Sequence, residues 1–302
     1  MRVLITGNGL LGSAFNKVKE HYKDYNVIIP EKYHWDLTNS KKAYLMIEAY
    51  KPEIIIHTAA KVGGVKLNAS NPEEMFYDNM VMTSHVIHFA ALAGVKKVVA
   101  FGTTCAFDGE IIESTTQHGI PYANNLPYAY AKRMVEIHLK SAKEQYGMDY
   151  AYFIPCSMYG PCDNFSLQNG HVIPSLIHKC KTSEGPLKVW GDGSPKREIM
   201  FSEDMANIVF SLLDKKTETM VVGTNEEVSI KEIAEKIIKY MSFDGGIELD
   251  STSPCGQQRR NITNTSKFRK FMPNFKFTCF DEGLDKTIKW FNDHYPNVRG
   301  FL

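Results

Sequence analysis

No two of the six cysteines (Cys105, Cys156, Cys162, Cys180, Cys255 and Cys279) are spaced C-x-x-C. That excludes a zinc ribbon and a thioredoxin-like redox motif, and no metal site is expected. The thiols are read as free, and a free cysteine ordinarily serves as a small buried hydrophobe. No stretch reaches the ~18 uncharged apolar residues that a spanning helix needs. The apolar opening VLIT is too short for a signal peptide. An excess of one charge is also missing. The net charge of +1 gives no bulk attraction to nucleic acid or to a membrane surface, so neither partner is expected. Internal repeats and low-complexity segments are absent too. With these exclusions, 302 residues that are 43% apolar and 23% charged read as a globular, cytoplasmic protein of one large or two smaller domains.

What is present starts at the first residues. MRVLITGNGLLGS places a strand, Val3 to Thr6, directly before Gly7-x-Gly9-x-x-Gly12, and a helical pattern follows. Strand, glycine turn and helix in that order form the context a dinucleotide fingerprint requires. Gly7 permits the tight turn, Gly9 lets backbone approach a pyrophosphate, and Gly12 lets helix and strand pack closely. The helix start then offers free N–H groups and a partial positive charge to phosphate. Gly7, Asn8, Gly9, Leu10, Leu11 and Gly12 are therefore candidate cofactor contacts. A second strand, NVIIP at 26–30, ends at Glu31 and Lys32. An acidic residue there favours NAD and a basic one favours NADP, so the signal is split.

Short apolar strands then alternate with helical patterns. EIIIHTAA (53–60), VKKVVAFG (95–102) and DYAYFIP (149–155) read as strands. Residues 71–94 read as a helix with Asn71 as cap, Pro72 first and Gly94 closing; 127–147 read as another, closed by Gly147. This is the pattern of an α/β protein with a doubly wound parallel sheet, a Rossmann domain. Past about residue 160 the pattern loosens. PCDNFSLQNGHVIP and WGDGSPKREIMF read as loop-rich, while 229–241 (Ser229 cap, Glu232 three residues on) and 280–295 read as helices. The division expected is a dinucleotide-binding domain over 1–160 with a return segment at 199–227. A smaller C-terminal α/β substrate domain takes 161–198 and 228–302.

Ligands of such sheets bind at the carboxyl ends of strands. FGTTCAF (101–107) lies at one, with Thr103 and Cys105 in it. Further on, YAYAK puts Tyr128 and Lys132 four apart on one helix face. A nearby ammonium favours the phenolate and lowers a tyrosine pKa, which suits the pair to move a proton at a carbonyl oxygen. The lysine can also hydrogen-bond a nicotinamide ribose.

A glycine fingerprint, a hydroxyl at a strand end and Tyr-x-x-x-Lys, in that order, resemble the short-chain dehydrogenase/reductase superfamily, and the length points to its extended branch. AAKVGGVKLNASNP (59–72), GTTCAF, NLPYAYAKRM, YGPCDNF (159–165), NGHVIPSLI (169–177) and VWGDGSPKREIMFSEDMA (189–206) go further. Together they resemble the GDP-L-fucose synthase family, epimerase/reductases of GDP-4-keto-6-deoxymannose, over nearly the whole chain. The resemblance implies NADP(H) as cofactor and a GDP-sugar as substrate. It implies 3,5-epimerisation by Cys105 and His171 as acid/base groups, and 4-keto reduction with Thr103, Tyr128 and Lys132. It also implies cofactor contacts from Lys32, Ala59, Ala60, Lys61, Tyr128, Lys132, Pro155 and His171, and substrate contacts from Lys179, Trp190, Arg197 and Asn264. Finally, it implies a homodimer through helices 71–94 and 127–147.

The sequence departs from the family in places. Thr103 stands where serine is usual, the loop is GxGxxG rather than GxxGxxG, and Asp108-Gly109 and Cys156-Ser157 replace Tyr-Pro and Thr-Asn. These leave room for another GDP-4-keto sugar such as a heptose, reduced with or without epimerisation. Retained Cys105 and His171 argue against a plain reductase. An NAD-dependent nucleotide-sugar 4-epimerase or dehydratase is a further alternative; the lack of acidic residues just after Thr103, in TTCAF, argues against a dehydratase, and the intact Thr–Tyr–Lys set argues against a non-catalytic binding protein.

Overall fold

The computed structural model describes residues 1–31, 34–252 and 263–301. In strand β1 (Arg2–Ile5), Val3 and Ile5 enter one core cluster and Leu4 the other, all fully buried. The alternation repeats in β3 (Ile54–His57), where Ile54 and Ile56 oppose Ile55. It repeats again in β4 (Lys97–Phe101), where Val99 and Phe101 oppose Val98 and Ala100. Strands buried on both faces belong to a parallel sheet covered by helices on both sides. The sheet runs β2–β1–β3–β4–β5–β9, with β2 at Asn26–Ile28, β5 at Asp149–Pro155 and β9 at Glu218–Val222, and every pairing is parallel.

Helices α1 (Leu10–Val18) and α7 (Ser202–Ser211) fill one face through Phe15, Met205 and Phe210. Helices α2 (Ser40–Tyr50), α4 (Pro72–Leu92) and α5 (Leu126–Tyr146) fill the other through Ile47, Val86 and Leu139. The short α3 (Val65–Ser70) leads into α4. This is the doubly wound sheet that the sequence predicts. The chain steps from β1 outward to β2, then returns to β3 on the other side of β1. That reversal opens a crevice beyond the carboxyl ends of β1 and β3.

A third cluster forms among α6 (Val172–Thr182), α8 (Ile230–Tyr240), α10 (Phe280–His294) and β8 (Lys196–Phe201). There β8 lies between β6 (Ser157–Tyr159) and β10 (Glu227–Ser229), while β7 (Leu187–Trp190) pairs in parallel with β11 (Ile247–Asp250). Helix α9 (Ser266–Phe271) instead sends Phe268 into the cluster of the large sheet. No described helix is long and apolar enough to cross a membrane.

Ser229 and Glu232 form a reciprocal capping box, and Gly147 ends α5 in the left-handed region with φ 71°. Asn71 does not cap α4 with its side chain. Its backbone N–H closes α3 on the Leu67 carbonyl, and its Nδ2 donates to Glu74 Oε1 at 3.3 Å. The segment read as a loop around KREIMF is strand β8. The strand read at 53–60 stops at His57, and Thr58–Ala60 turn into the crevice.

Candidate active site

Two of the three fingerprint glycines are fixed by backbone packing. A Cβ on Gly12 would overlap the Gly7 carbonyl, and one on Gly7 would lie 2.8 Å from Ala59 N and Thr58 Oγ1. Thr58 Oγ1 donates to the Gly7 carbonyl at 3.1 Å and ties the loop to the end of β3. Gly9 is different. A Cβ there would meet only the Arg299 guanidinium, at 2.8 Å. So Gly7 and Gly12 seat the loop, and Gly9 keeps its outer side accessible to a ligand. Gly9 is also the N-cap of α1, whose first turn carries no acidic side chain to oppose an anion.

The loop opens on a cavity of about 1040 Å³. Gly7, Asn8, Gly9, Leu10, Leu11, Ala59, Ala60, Lys61, Thr103, Cys105, Tyr128, Lys132, Pro155, His171, Lys179, Trp190 and Arg197 all line it. Two predicted residues do not: Gly12 lies under the loop, and Asn264 donates its backbone N–H to Ile111 at 2.8 Å and its Nδ2 to Glu110 at 3.4 Å. Lys32 lies outside the described residues. Lys61 contributes less charge than its type suggests, because its ammonium is paired with Glu74 and with Asp78.

At the end of β4 the chain makes a tight turn over Thr104–Ala106. Thr103 Oγ1 accepts the Cys105 N–H at 3.2 Å. Arg133 then fastens this turn to α5: its Nε donates to the Ala106 carbonyl and its Nη1 to that of Gly119, each at 2.8 Å. The helix that carries Tyr128 and Lys132 is thereby held against the turn that carries Thr103 and Cys105. Lys132 Nζ lies 5.9 Å from the centre of the Tyr128 ring. Burial holds the Lys132 pKa down, to about 8. Behind it, His57 Nδ1 meets Thr6 Oγ1 at 2.7 Å and Nε2 meets Thr83 Oγ1 at 3.1 Å. Burial, reinforced by the Lys132 charge, pushes His57 down to about 3, so it stays neutral.

His171 enters from the other side, at the start of α6, with its side chain exposed to the cavity. Asp163 also lines the cavity and is buried; its Oδ1 accepts the Asn164 N–H at 2.7 Å, and its Oδ2 has no hydrogen-bond partner. Burial pushes this carboxyl up, while the charges of His171 and Arg299 pull it down. At the end of the cavity formed by α6 and β7, Lys179 Nζ sits 5.4 Å from the Trp190 ring centre, and Trp190 remains 40% exposed. Arg197 approaches the same end from β8.

Residues 3–223 match the NAD dependent epimerase/dehydratase family. The chain is 32% identical to GDP-L-fucose synthase of Dictyostelium discoideum, across 98% of this chain and 97% of that protein. It belongs to the GDP-L-fucose synthase family. GDP-L-colitose synthase of Yersinia pseudotuberculosis is 30% identical across 98% of this chain and 100% of its own. Among solved structures, GDP-L-fucose synthetase of Naegleria fowleri bound to NADP is similar with a TM-score of 0.90 and 28% identity, covering 99% of this chain and 94% of that one.

Three cavity residues of this GDP-L-fucose synthase family member escaped the sequence reading. Asp163 sits inside YGPCDNF, and His57 ends the apolar run EIIIH. Arg299 follows the last helix in a segment without a motif. Proximity in the fold, not spacing, brings each to the site.

Proposed function

We propose that the protein converts GDP-4-keto-6-deoxymannose to GDP-L-fucose by 3,5-epimerisation and NADPH-dependent 4-keto reduction. The observation that carries this is the convergence of Thr103, Cys105, Tyr128, Lys132 and His171 on the one cavity that the glycine loop opens. The NADP bound by the Naegleria fowleri structure supports the choice of cofactor.

The glycine loop, Ala59–Lys61, Pro155 and Lys132 would hold the dinucleotide, with its phosphates at the start of α1, where Gly9 is the N-cap. Bound NADPH supplies the hydride for C4. The 4-keto group acidifies the protons on C3 and C5. Cys105 and His171 approach from different elements, and thiol and imidazole are the side chains that titrate nearest neutrality. One removes a proton from a face of the sugar and the other returns one to the opposite face. Thr103 donates a hydrogen bond to the C4 oxygen, Tyr128 gives it a proton, and the Lys132 ammonium stabilises the oxyanion left on the ring. Trp190, Lys179 and Arg197 take the GDP end, as a ring face and two cations matched to a base and a diphosphate. In this division the large sheet carries the dinucleotide and the third cluster carries the sugar nucleotide.

We infer that a second copy packs on α4 and α5. Met80, Met134 and Ile137 line a groove between these helices, and Met134 and Ile137 are 44% and 53% exposed. Light scattering should give twice the chain mass, and Ile137→Asp should give a monomer. A monomeric unaltered chain contradicts this assembly.

The function is tested by supplying NADPH and GDP-4-keto-6-deoxymannose and identifying the product. GDP-L-fucose formed with stoichiometric NADPH oxidation supports the reading. A reduced product that keeps the starting configuration at C3 and C5, or no oxidation, overturns it.

A further inference from the structure

Residues 295–301 follow α10 and return to the cavity. Val298 is buried in the third cluster, and the Phe301 ring centre lies 5.1 Å from those of His178 and Tyr295. The Phe165 N–H donates to the Arg299 carbonyl at 2.9 Å. Gly300, with φ 91°, fits against Asn164 and Ser166 where a side chain would overlap. The backbone on both sides of Arg299 is thus anchored, and its side chain lines the cavity. The guanidinium reaches the glycine loop, with Nη1 2.8 Å from where a Cβ on Gly9 would stand.

The loop GNGLLGS contains no basic residue. Its own electropositive contribution is the start of α1, equivalent to about half an elementary charge. A pyrophosphate carries more negative charge than that, and a guanidinium fork matches its oxygens. Of the three fingerprint glycines, only Gly9, the one left accessible to a ligand, faces this cation.

We propose that Arg299 clamps the pyrophosphate of the bound dinucleotide against the glycine loop. This rests on the reading of the cavity as a dinucleotide site. The buried Asp163 carboxyl lines the same cavity.

The opposite reading is that Arg299 occludes the loop and must be displaced. Fluorescence titration with NADPH separates the two. Binding by the unaltered chain tests the dinucleotide site itself, and its absence would overturn both proposals. Arg299→Ala should weaken NADPH by about tenfold, the ordinary loss for a hydrogen bond to a charged group. Arg299→Lys should recover part of that loss. Adenosine 2′-phosphate, which has no pyrophosphate, should bind the unaltered chain and Arg299→Ala alike. Unchanged or tighter NADPH binding by Arg299→Ala overturns the clamp, as does an equal loss for adenosine 2′-phosphate. If the unfolding temperature of Arg299→Ala falls, Arg299→Gln carries the same comparison with the side-chain length largely kept.

Discussion

Thr103 Oγ1 accepts a hydrogen bond from the Cys105 N–H at 3.2 Å. The hydroxyl at the end of β4 therefore holds the turn that bears the thiol, and keeps its own proton for another acceptor. Thr103→Val should slow NADPH oxidation by roughly 10²–10³, the usual cost of losing one oxyanion donor. Thr103→Ser should restore it, because the hydroxyl returns and only a methyl is lost. Steady-state absorbance of NADPH measures both, and an unimpaired valine variant would remove the hydroxyl from the reaction.

Tyr128 and Lys132 make separable contributions. Tyr128→Phe should cost about 10²–10⁴ in the rate of reduction, with the NADPH dissociation constant unchanged. Lys132 leaves a thermodynamic signature as well. Its pKa is about 8 in the folded chain against an ordinary 10.5. Between those values the unfolded chain binds the proton and the folded chain does not, so stability rises with pH, by about 1.4 kcal/mol per unit. Below about pH 8 both states hold the proton and this slope vanishes. Urea unfolding at a series of pH values should show the rise in the unaltered chain and not in Lys132→Met.

His57 works in the opposite pH range. It is buried between Thr6 and Thr83 and titrates near 3 rather than 6.5. As pH falls from 6.5 toward 3, the unfolded chain takes up a proton that the folded chain refuses. Stability therefore falls with pH by about 1.4 kcal/mol per unit from this group. The difference in acid unfolding between the unaltered chain and His57→Gln isolates it, and identical slopes would show that His57 is not held neutral.

Trp190 should govern substrate rather than cofactor. Stacking of a base on an aromatic ring is worth about 1–3 kcal/mol, so Trp190→Ala should raise KM for the GDP-sugar by roughly tenfold or more. The NADPH dissociation constant should not move. A shift in NADPH binding instead would place the ring at the other ligand.

The sheet, the glycine loop and the Tyr128–Lys132 pair were legible because their signals are local. The unbroken apolar run Ile54, Ile55 and Ile56 signals a strand buried on both faces, the glycine loop is contiguous, and Tyr128 and Lys132 share a helix face four residues apart. What was not legible depends on distant packing. Nothing near Arg299 in sequence says that its guanidinium reaches Gly9, because that meeting is set by Val298 in the third cluster and by Phe301 against His178 and Tyr295. Asn71 reads as a cap by residue type, yet its backbone already closes α3. The strand KREIMF was hidden by the glycines before it, and its pairing with β6 and β10 is non-local.

The proposed reaction requires Cys105 to move protons on the sugar. The most direct measurement is the reaction in deuterated water with NADPH and GDP-4-keto-6-deoxymannose, beside Cys105→Ser. Deuterium at both C3 and C5 of the product, lost in the variant while NADPH binding persists, is the expected result. Reduction without deuterium in the unaltered protein, or full labelling by Cys105→Ser, would contradict it.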